Sequence, residues 1–286
     1  MTNKIYLCSF ASSDLDRSVK RFKKQANELN VYEKINIYRP KNLSNELKEK
    51  VKKLLKIGKK RLYAYAIWKP DIILDNLDKI PDNSILHYAD IGCHFNLKGI
   101  DRLKEYFTIT DKHSMLTFDY SKPKENFGLM DYKFQQYPEY KYTKADLINY
   151  FGLNFNSSII NTPQIWSGSF FVKKCDFILN LLNSWKKVFD QINLIDDSDS
   201  ILTNHKEFYE NRHDQSALSI ICKKNNIFSL SVSECEWVEF NGKRIWTHLN
   251  NYPILAKRDL KYNIIKRFIK RQSKNLKRLK KKISNS

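Results

Sequence analysis

Cysteine, glycine, proline and long apolar runs are all scarce in this chain. The five cysteines, Cys8, Cys93, Cys175, Cys222 and Cys235, are odd in number and scattered, with no CxxC pair. That pattern predicts neither a disulfide framework nor a zinc site, and it suits a reducing cytoplasm. Seven glycines and seven prolines in 286 residues exclude a collagen-like or low-complexity chain. No stretch approaches the roughly 18–20 consecutive apolar residues of a membrane span. The opening MTNKIYLCSFASSDLD has only a short apolar run before polar residues, so no secretory leader is expected. Internal repeats are absent as well.

What is present points to one large domain with an appendage. Apolar residues make up 42% and aromatics 13%, enough for a sizeable core. The net charge of +20 is unevenly spread: residues 257–286 hold thirteen Lys and Arg against one acid, Asp259, and so carry +12. The other 256 residues carry only +8. Hence residues 1–256 form the expected main domain and 257–286 a separate basic segment. Its apolar positions, 260, 264, 265, 268, 269, 276, 279 and 283, keep helical spacing. A basic amphipathic helix of this kind suits an anionic membrane surface, where each Lys or Arg adds about 1 kcal/mol. The competing reading packs the same helix on the main domain by its narrow apolar stripe.

Along the main domain the pattern alternates between strand and helix. KIYLCSF (4–10) reads as a buried strand, SSDLDRSVKRFKKQANEL as a capped helix, EKINIY (33–38) as a strand and 43–56 as a Lys-rich helix. Pro70 stands at a favourable first helical position before Ile72, Ile73, Leu74 and Leu77. A strand over 84–89 follows. This βαβαβ order predicts an α/β fold with a mostly parallel, Rossmann-like sheet flanked by helices. The stretch 119–163 is polar, aromatic and loop-rich. IWSGSFFV (165–172) reads as a strand interrupted by Gly168, followed by a helix from Cys175, a helix over 213–226, and late strands in IFSLSV and KRIWTH.

SILHYADIGCHF (84–95) frames the functional question, because an apolar strand drives straight into Asp90. In open α/β sheets ligands bind beyond the carboxyl ends of the strands. A carboxylate there can hold a divalent cation that bridges diphosphate oxygens, and Gly92 leaves room for a bulky ligand. The bland alternative is an Asp that caps a turn. Lys69, beside a helix N-terminus, suits a phosphate; the alternative leaves it facing solvent. Tyr63, Tyr65 and Trp68 read first as core aromatics. His94 is placed to line the site, whereas His113 and His205 read as surface residues.

Taken together, SFASSDLDRSVKRFKKQA, YAYAIWKPDIILDNLDKIPDNSILHYADIGC, IWSGSFFVKK and HDQSALSII resemble a group of bacterial glycosyltransferases of surface-polysaccharide loci. The resemblance spans about residues 4–250 and extends to the wider GT-A glycosyltransferases, including the retaining families 8 and 32. It implies a GT-A-like catalytic domain and transfer of a sugar, retaining in outcome, from a nucleotide sugar such as a UDP-sugar. The implied acceptor is a growing capsule, lipopolysaccharide or lipid-linked glycan. By this resemblance Asp90 matches the first Asp of an Asp-x-Asp motif, and Gly92 replaces the second, so the implied Mn or Mg site is incomplete. Lys69 and Trp68 fall on the donor side, Ser167 and Gly168 match a small-residue turn, and Asp214 and Gln215 match an Asp-Gln motif beside the donor sugar. His248 resembles a late metal-ligating His, though one His after a strand is more often structural. An inverting enzyme would need a base, for which Asp119 and Asp131 are candidates. The implied location is cytoplasmic, at the inner face of the plasma membrane through 257–286. The alternative is a basic nucleic-acid-binding protein without catalysis. The mild charge of residues 1–256 and the lack of any nucleic-acid motif speak against it, so no nucleic-acid partner is expected.

Overall fold

The structure, a computed structural model, describes residues 3–123 and 132–257 together with Gln272. The basic segment beyond Lys257 and the candidate base Asp131 therefore lie outside the described residues, apart from Gln272.

In chain order the elements are β1 (Ile5–Phe10), α1 (Asp16–Leu29), β2 (Lys34–Tyr38), α2 (Asn45–Lys56) and a short helical turn α3 (Leu62–Tyr65). Then come α4 (Lys69–Asp78), β3 (Ile85–Ala89), β4 (His94–Phe95), α5 (Ile100–His113) and β5 (Met115–Asp119). The rest comprises α6 (Glu139–Tyr142), α7 (Ala145–Tyr150), β6 (Ile165–Lys173), α8 (Asp176–Val188), α9 (Asp214–Lys224), β7 (Phe228–Ser231), β8 (Val238–Phe240), β9 (Lys243–Ile245) and β10 (Ile254–Leu255). Six strands form one sheet in the order β2-β1-β3-β6-β5-β7. The pairs β1–β2, β1–β3 and β5–β7 are parallel, and β6 alone runs against its neighbours β3 and β5. The expected α/β fold with a mostly parallel sheet is thus the one observed.

Helices cover both faces, which explains why the central strands β3 and β6 are buried almost without a break rather than at alternate residues. All five residues of β3 are buried. On one face α4, α8 and α9 pack with Trp185, Ile73, Leu182 and Leu218 in the core; on the other, α1 and α5 pack with Phe22, Leu103 and Tyr106. Each such fully buried side chain contributes about 1.5–3 kcal/mol from apolar transfer.

Three outcomes differ from the pattern reading. Helix α5 and strand β5 are not among the expected elements, because Thr108, Ile109 and Thr110 blur the helical signal; Leu103, Tyr106 and Thr110 still bury one face. The strand over 165–173 is continuous, and Gly168 lies at an irregularity in its pairing with β5 rather than at a break. A Cβ on Gly168 would come within 2.3 Å of the Trp166 ring, so a close approach explains the glycine. Finally, KRIWTH holds only the three-residue β9, paired with β8 in a separate hairpin, and His248 sits on the short turn Thr247–Leu249.

Candidate functional site

The carboxyl end of β3 delivers Asp90 to the edge of the sheet. Its backbone N–H donates to the Gly168 carbonyl at 2.7 Å, which fastens the end of β3 to β6. The Cys93 N–H closes the following turn on the Asp90 carbonyl at 2.8 Å. Arg21 of α1 reaches the same turn and donates to the carbonyls of Ile91 and Cys93. Two residues back along the strand, and so on the same face, the Tyr88 hydroxyl donates to Asp90 Oδ1 at 2.7 Å.

Lys69 opens α4, with Pro70 beside it in the first turn. It does not face solvent; its side chain is 4% exposed. Its Nζ lies 2.6 Å from Asp214 Oδ2 and 3.4 Å from Asp90 Oδ1. It also meets the Ser167 carbonyl at 3.2 Å and the Ser167 Oγ at 3.4 Å. Burial alone would push the ammonium down, but the carboxylates of Asp214 and then Asp90 outweigh it and hold the pKa above the usual lysine value. Asp214 begins α9 and is itself buried; the Ser167 hydroxyl donates to its Oδ2 at 2.9 Å, and Trp185 Nε1 donates to its carbonyl. Only Asp90 of the three charged groups faces solvent appreciably, at 41%.

Gln215 donates from Nε2 to Gln164 Oε1 at 2.8 Å. Gln164 in turn donates to Glu139 and Thr143, each at 3.0 Å. This glutamine pair ties the start of α9 to β6 and α6. The structure therefore brings Lys69, Asp90, Ser167, Gly168 and Asp214 into one cluster, with Gln215 next to it in the chain. Gly92 sits in the turn after β3, half-buried.

The remaining candidates lie in other settings. Trp68 is a core aromatic, stacked on Phe10 at 3.9 Å between ring centroids, with its Nε1 on the Tyr63 carbonyl. His248 places Nε2 at 3.1 Å from the Ser233 carbonyl, and burial holds its pKa below the usual value. Asp119, a candidate base, instead caps its own turn by accepting from the Ser121 N–H at 2.9 Å. His94 lies on β4 opposite Leu255. His113 is exposed and stacks on Phe228, while His205 is half-buried against Tyr140.

Among the described residues no three His, Cys, Asp or Glu side chains converge in metal-ligand geometry. At the Asp90 end the second carboxylate of the Asp-x-Asp pattern is replaced by Gly92, and the oxygen nearest the cluster already faces an ammonium. The residues as placed do not fit a divalent cation.

Pattern reading missed Tyr88, Gln164 and Arg21. Tyr88 was available from strand alternation alone, since it shares a face with Asp90. No local signal links Arg21 or Gln164 to the site.

No protein-family model and no curated protein matches the chain. Among the solved structures that it resembles are two glycosyltransferases. One is a glycosyltransferase involved in the glycosylation of the major capsid of PBCV-1, with TM-score 0.48 and 10% identity over 88% of this chain and 91% of that one. The other is mouse xyloside xylosyltransferase 1 in its apo form, with TM-score 0.40 and 10% identity over 82% of this chain and 87% of that one. Likenesses at this level carry no residue roles across.

Proposed function

We propose that the chain is a glycosyltransferase that moves a sugar from a nucleotide-diphosphate donor, a UDP-sugar, to a growing bacterial surface glycan or lipid-linked acceptor. The observation that carries the reading is Asp90: a part-exposed carboxylate at the carboxyl end of the central strand, held by a buried ammonium that also holds Asp214. In an open α/β sheet this is where a nucleotide lies.

In this reading Asp90 accepts hydrogen bonds from hydroxyls of the bound donor, and Tyr88 and Lys69 fix its orientation. Fixed polar groups aimed at developing charge are the main source of rate in such transfers. The bond from C1 of the sugar to phosphate breaks, and its electron pair leaves with the diphosphate. Negative charge from Asp214 favours the positive character that C1 then acquires. The acceptor oxygen bonds to C1 on the same face, giving retention, and its proton passes to the departing phosphate oxygen. Gln215 orients the sugar. The basic segment 257–286 supplies peripheral attachment to the inner face of an anionic membrane, where lipid-linked acceptors reside. Its removal is expected to abolish sedimentation with anionic vesicles and to spare transfer to a soluble acceptor analogue.

Asp90→Asn tests the site. It keeps shape and removes charge. Nucleotide release from UDP-sugars is expected to fall by a factor of about 100 or more. A rate near that of the wild type would overturn the assignment.

A further inference from the structure

The Lys69 ammonium is surrounded by four oxygens from three separate elements. Asp214 Oδ2 stands at 2.6 Å, the Ser167 carbonyl at 3.2 Å, the Ser167 hydroxyl at 3.4 Å and Asp90 Oδ1 at 3.4 Å. Two are carboxylate oxygens, one a carbonyl and one a hydroxyl, which is the donor set of a hard cation rather than of a solvent-facing lysine. The stem is locked as well: Lys69 begins α4, its ammonium is nearly buried, and it lies 5.1 Å from the centre of the Tyr88 ring. Gly92, where a second carboxylate would be needed to balance a doubly charged ion, contributes no oxygen from a side chain.

We propose that Lys69 is a covalently attached substitute for the divalent cation, so that the chain binds a nucleoside diphosphate with no metal ion bound at Asp90. The proposal rests on the glycosyltransferase reading only for the identity of the nucleotide. The charge arithmetic of the cluster stands independently. Two carboxylates and one ammonium leave a single negative charge. A divalent ion docked on Asp90 would have one carboxylate to itself and a fixed positive charge within a few ångströms, so the ammonium repels it. Lys69 is a positioning residue here. It holds Asp90 and Asp214 at a set separation and acts on the substrate through them.

The Lys69→Ala substitution opens the place of the ammonium to an ion. The probe is Mn²⁺ alone, followed by thermal unfolding and by the electron paramagnetic resonance signal of free Mn²⁺. Wild-type protein is expected to leave the signal unchanged and its Tm unmoved. Lys69→Ala is expected to be less stable and to regain about 3 °C or more with saturating Mn²⁺, because an ion that binds only the folded state stabilises it. The same gain should disappear in Lys69→Ala with Asp90→Asn. Stoichiometric Mn²⁺ binding by wild-type protein, lost in Asp90→Asn, would overturn the proposal. So would a folded Lys69→Ala protein that Mn²⁺ does not stabilise, since the cluster would then be an ordinary buried ion pair. If Lys69→Ala does not fold with or without Mn²⁺, the wild-type titration decides. Calorimetry with UDP separates the two readings. Affinity unchanged by a chelator supports both, and affinity lost with the chelator overturns the metal-free proposal alone. Absence of any nucleotide binding refutes the glycosyltransferase reading and leaves the Mn²⁺ result to judge the cluster.

Discussion

The two walls of the site are built in opposite ways. The β3 wall is regular: a fully buried strand ends, and Asp90 emerges in a turn fastened by Gly168 and Arg21. The facing wall comes from strained backbone. Lys69 follows five successive residues with left-handed φ, Leu62 to Ala66, at 51° to 64°, and none of them is Gly or Asn. Asp214 follows His213, whose φ of 58° and ψ of −121° lie outside the common basins for a side-chain-bearing residue. Left-handed backbone costs L-residues about 1–2 kcal/mol each. Both strained segments are tied to one residue. Asp197 accepts from Tyr65 Oη at 3.1 Å and from Arg61 at 3.0 Å, and lies 3.6 Å from His213 Nε2. Strain of this kind persists only where the surroundings over-determine it, and it concentrates at functional sites. Here it aims the two buried charges at the one that faces solvent.

The largest expected effect comes from removing the link between the walls. Lys69→Met leaves Asp214 buried without its partner and is expected to cost about 3–5 kcal/mol, read from urea unfolding. Adding Asp214→Asn to Lys69→Met should recover part of that loss, because the orphaned charge goes too. A loss under about 1 kcal/mol for Lys69→Met would mean that the cluster is solvated.

The same asymmetry predicts a split between the carboxylates. Asp214→Asn disturbs a buried, hydrogen-bonded charge and is expected to cost about 1–3 kcal/mol of stability. Asp90→Asn alters a part-exposed one and should cost under about 1 kcal/mol. Both should cripple turnover, while UDP affinity measured by calorimetry should fall for Asp90→Asn and hold for Asp214→Asn. Collapse of UDP affinity in Asp214→Asn would show that the roles of the walls are reversed.

What the sequence disclosed follows the same division. Strands β1, β2 and β3 and helices α1, α2, α4, α8 and α9 are legible from apolar runs and helical spacing, Asp90 from its place at a strand end, and Asp214 only through the Asp-Gln motif of the glycosyltransferase resemblance. Their union through Lys69 is not legible, because it joins residues far apart in the chain and depends on the antiparallel insertion of β6 between β3 and β5. Nor is the strain. Leu62, Tyr63 and Ala64 carry no local preference for left-handed backbone; tertiary packing of Tyr65, Ile67 and Trp68 in the core imposes it. Asp119 shows the converse, a carboxylate eligible for chemistry that its own turn uses up.

The regular wall has a pH sensitivity of its own. His87 lies inside β3, with Nδ1 at 2.8 Å from the Tyr32 hydroxyl and Nε2 at 2.8 Å from the Ser169 hydroxyl. Burial pushes its pKa down to about 3. The folded state keeps the imidazole neutral while the unfolded chain takes up a proton below the ordinary value of about 6.5. Stability from this group is therefore full above that pH and falls as pH drops toward 3, by about 1.4 kcal/mol per unit. His87→Gln should flatten the urea midpoint against pH by that one proton between pH 6 and 4. An unchanged slope would show that water reaches the ring.

The smallest effect isolates the strain itself. Ala26 in α1 and Ala66 in the left-handed turn are both buried, at 1% and 3% exposure, so each loses a buried methyl when changed to glycine. In α1 the change also removes helix preference, and Ala26→Gly is expected to cost about 1.5–2 kcal/mol in all. At Ala66, with φ 58° and ψ 28°, glycine relieves a left-handed penalty of about 1–2 kcal/mol, which offsets the lost methyl and the added freedom of the unfolded chain. Ala66→Gly is thus expected to shift stability by less than about 0.5 kcal/mol. The informative quantity is the difference between the two variants in parallel urea titrations. A difference of about 1 kcal/mol or more places the strain in the backbone before Lys69, and equal losses would show that the turn is relaxed and that packing alone orients the ammonium.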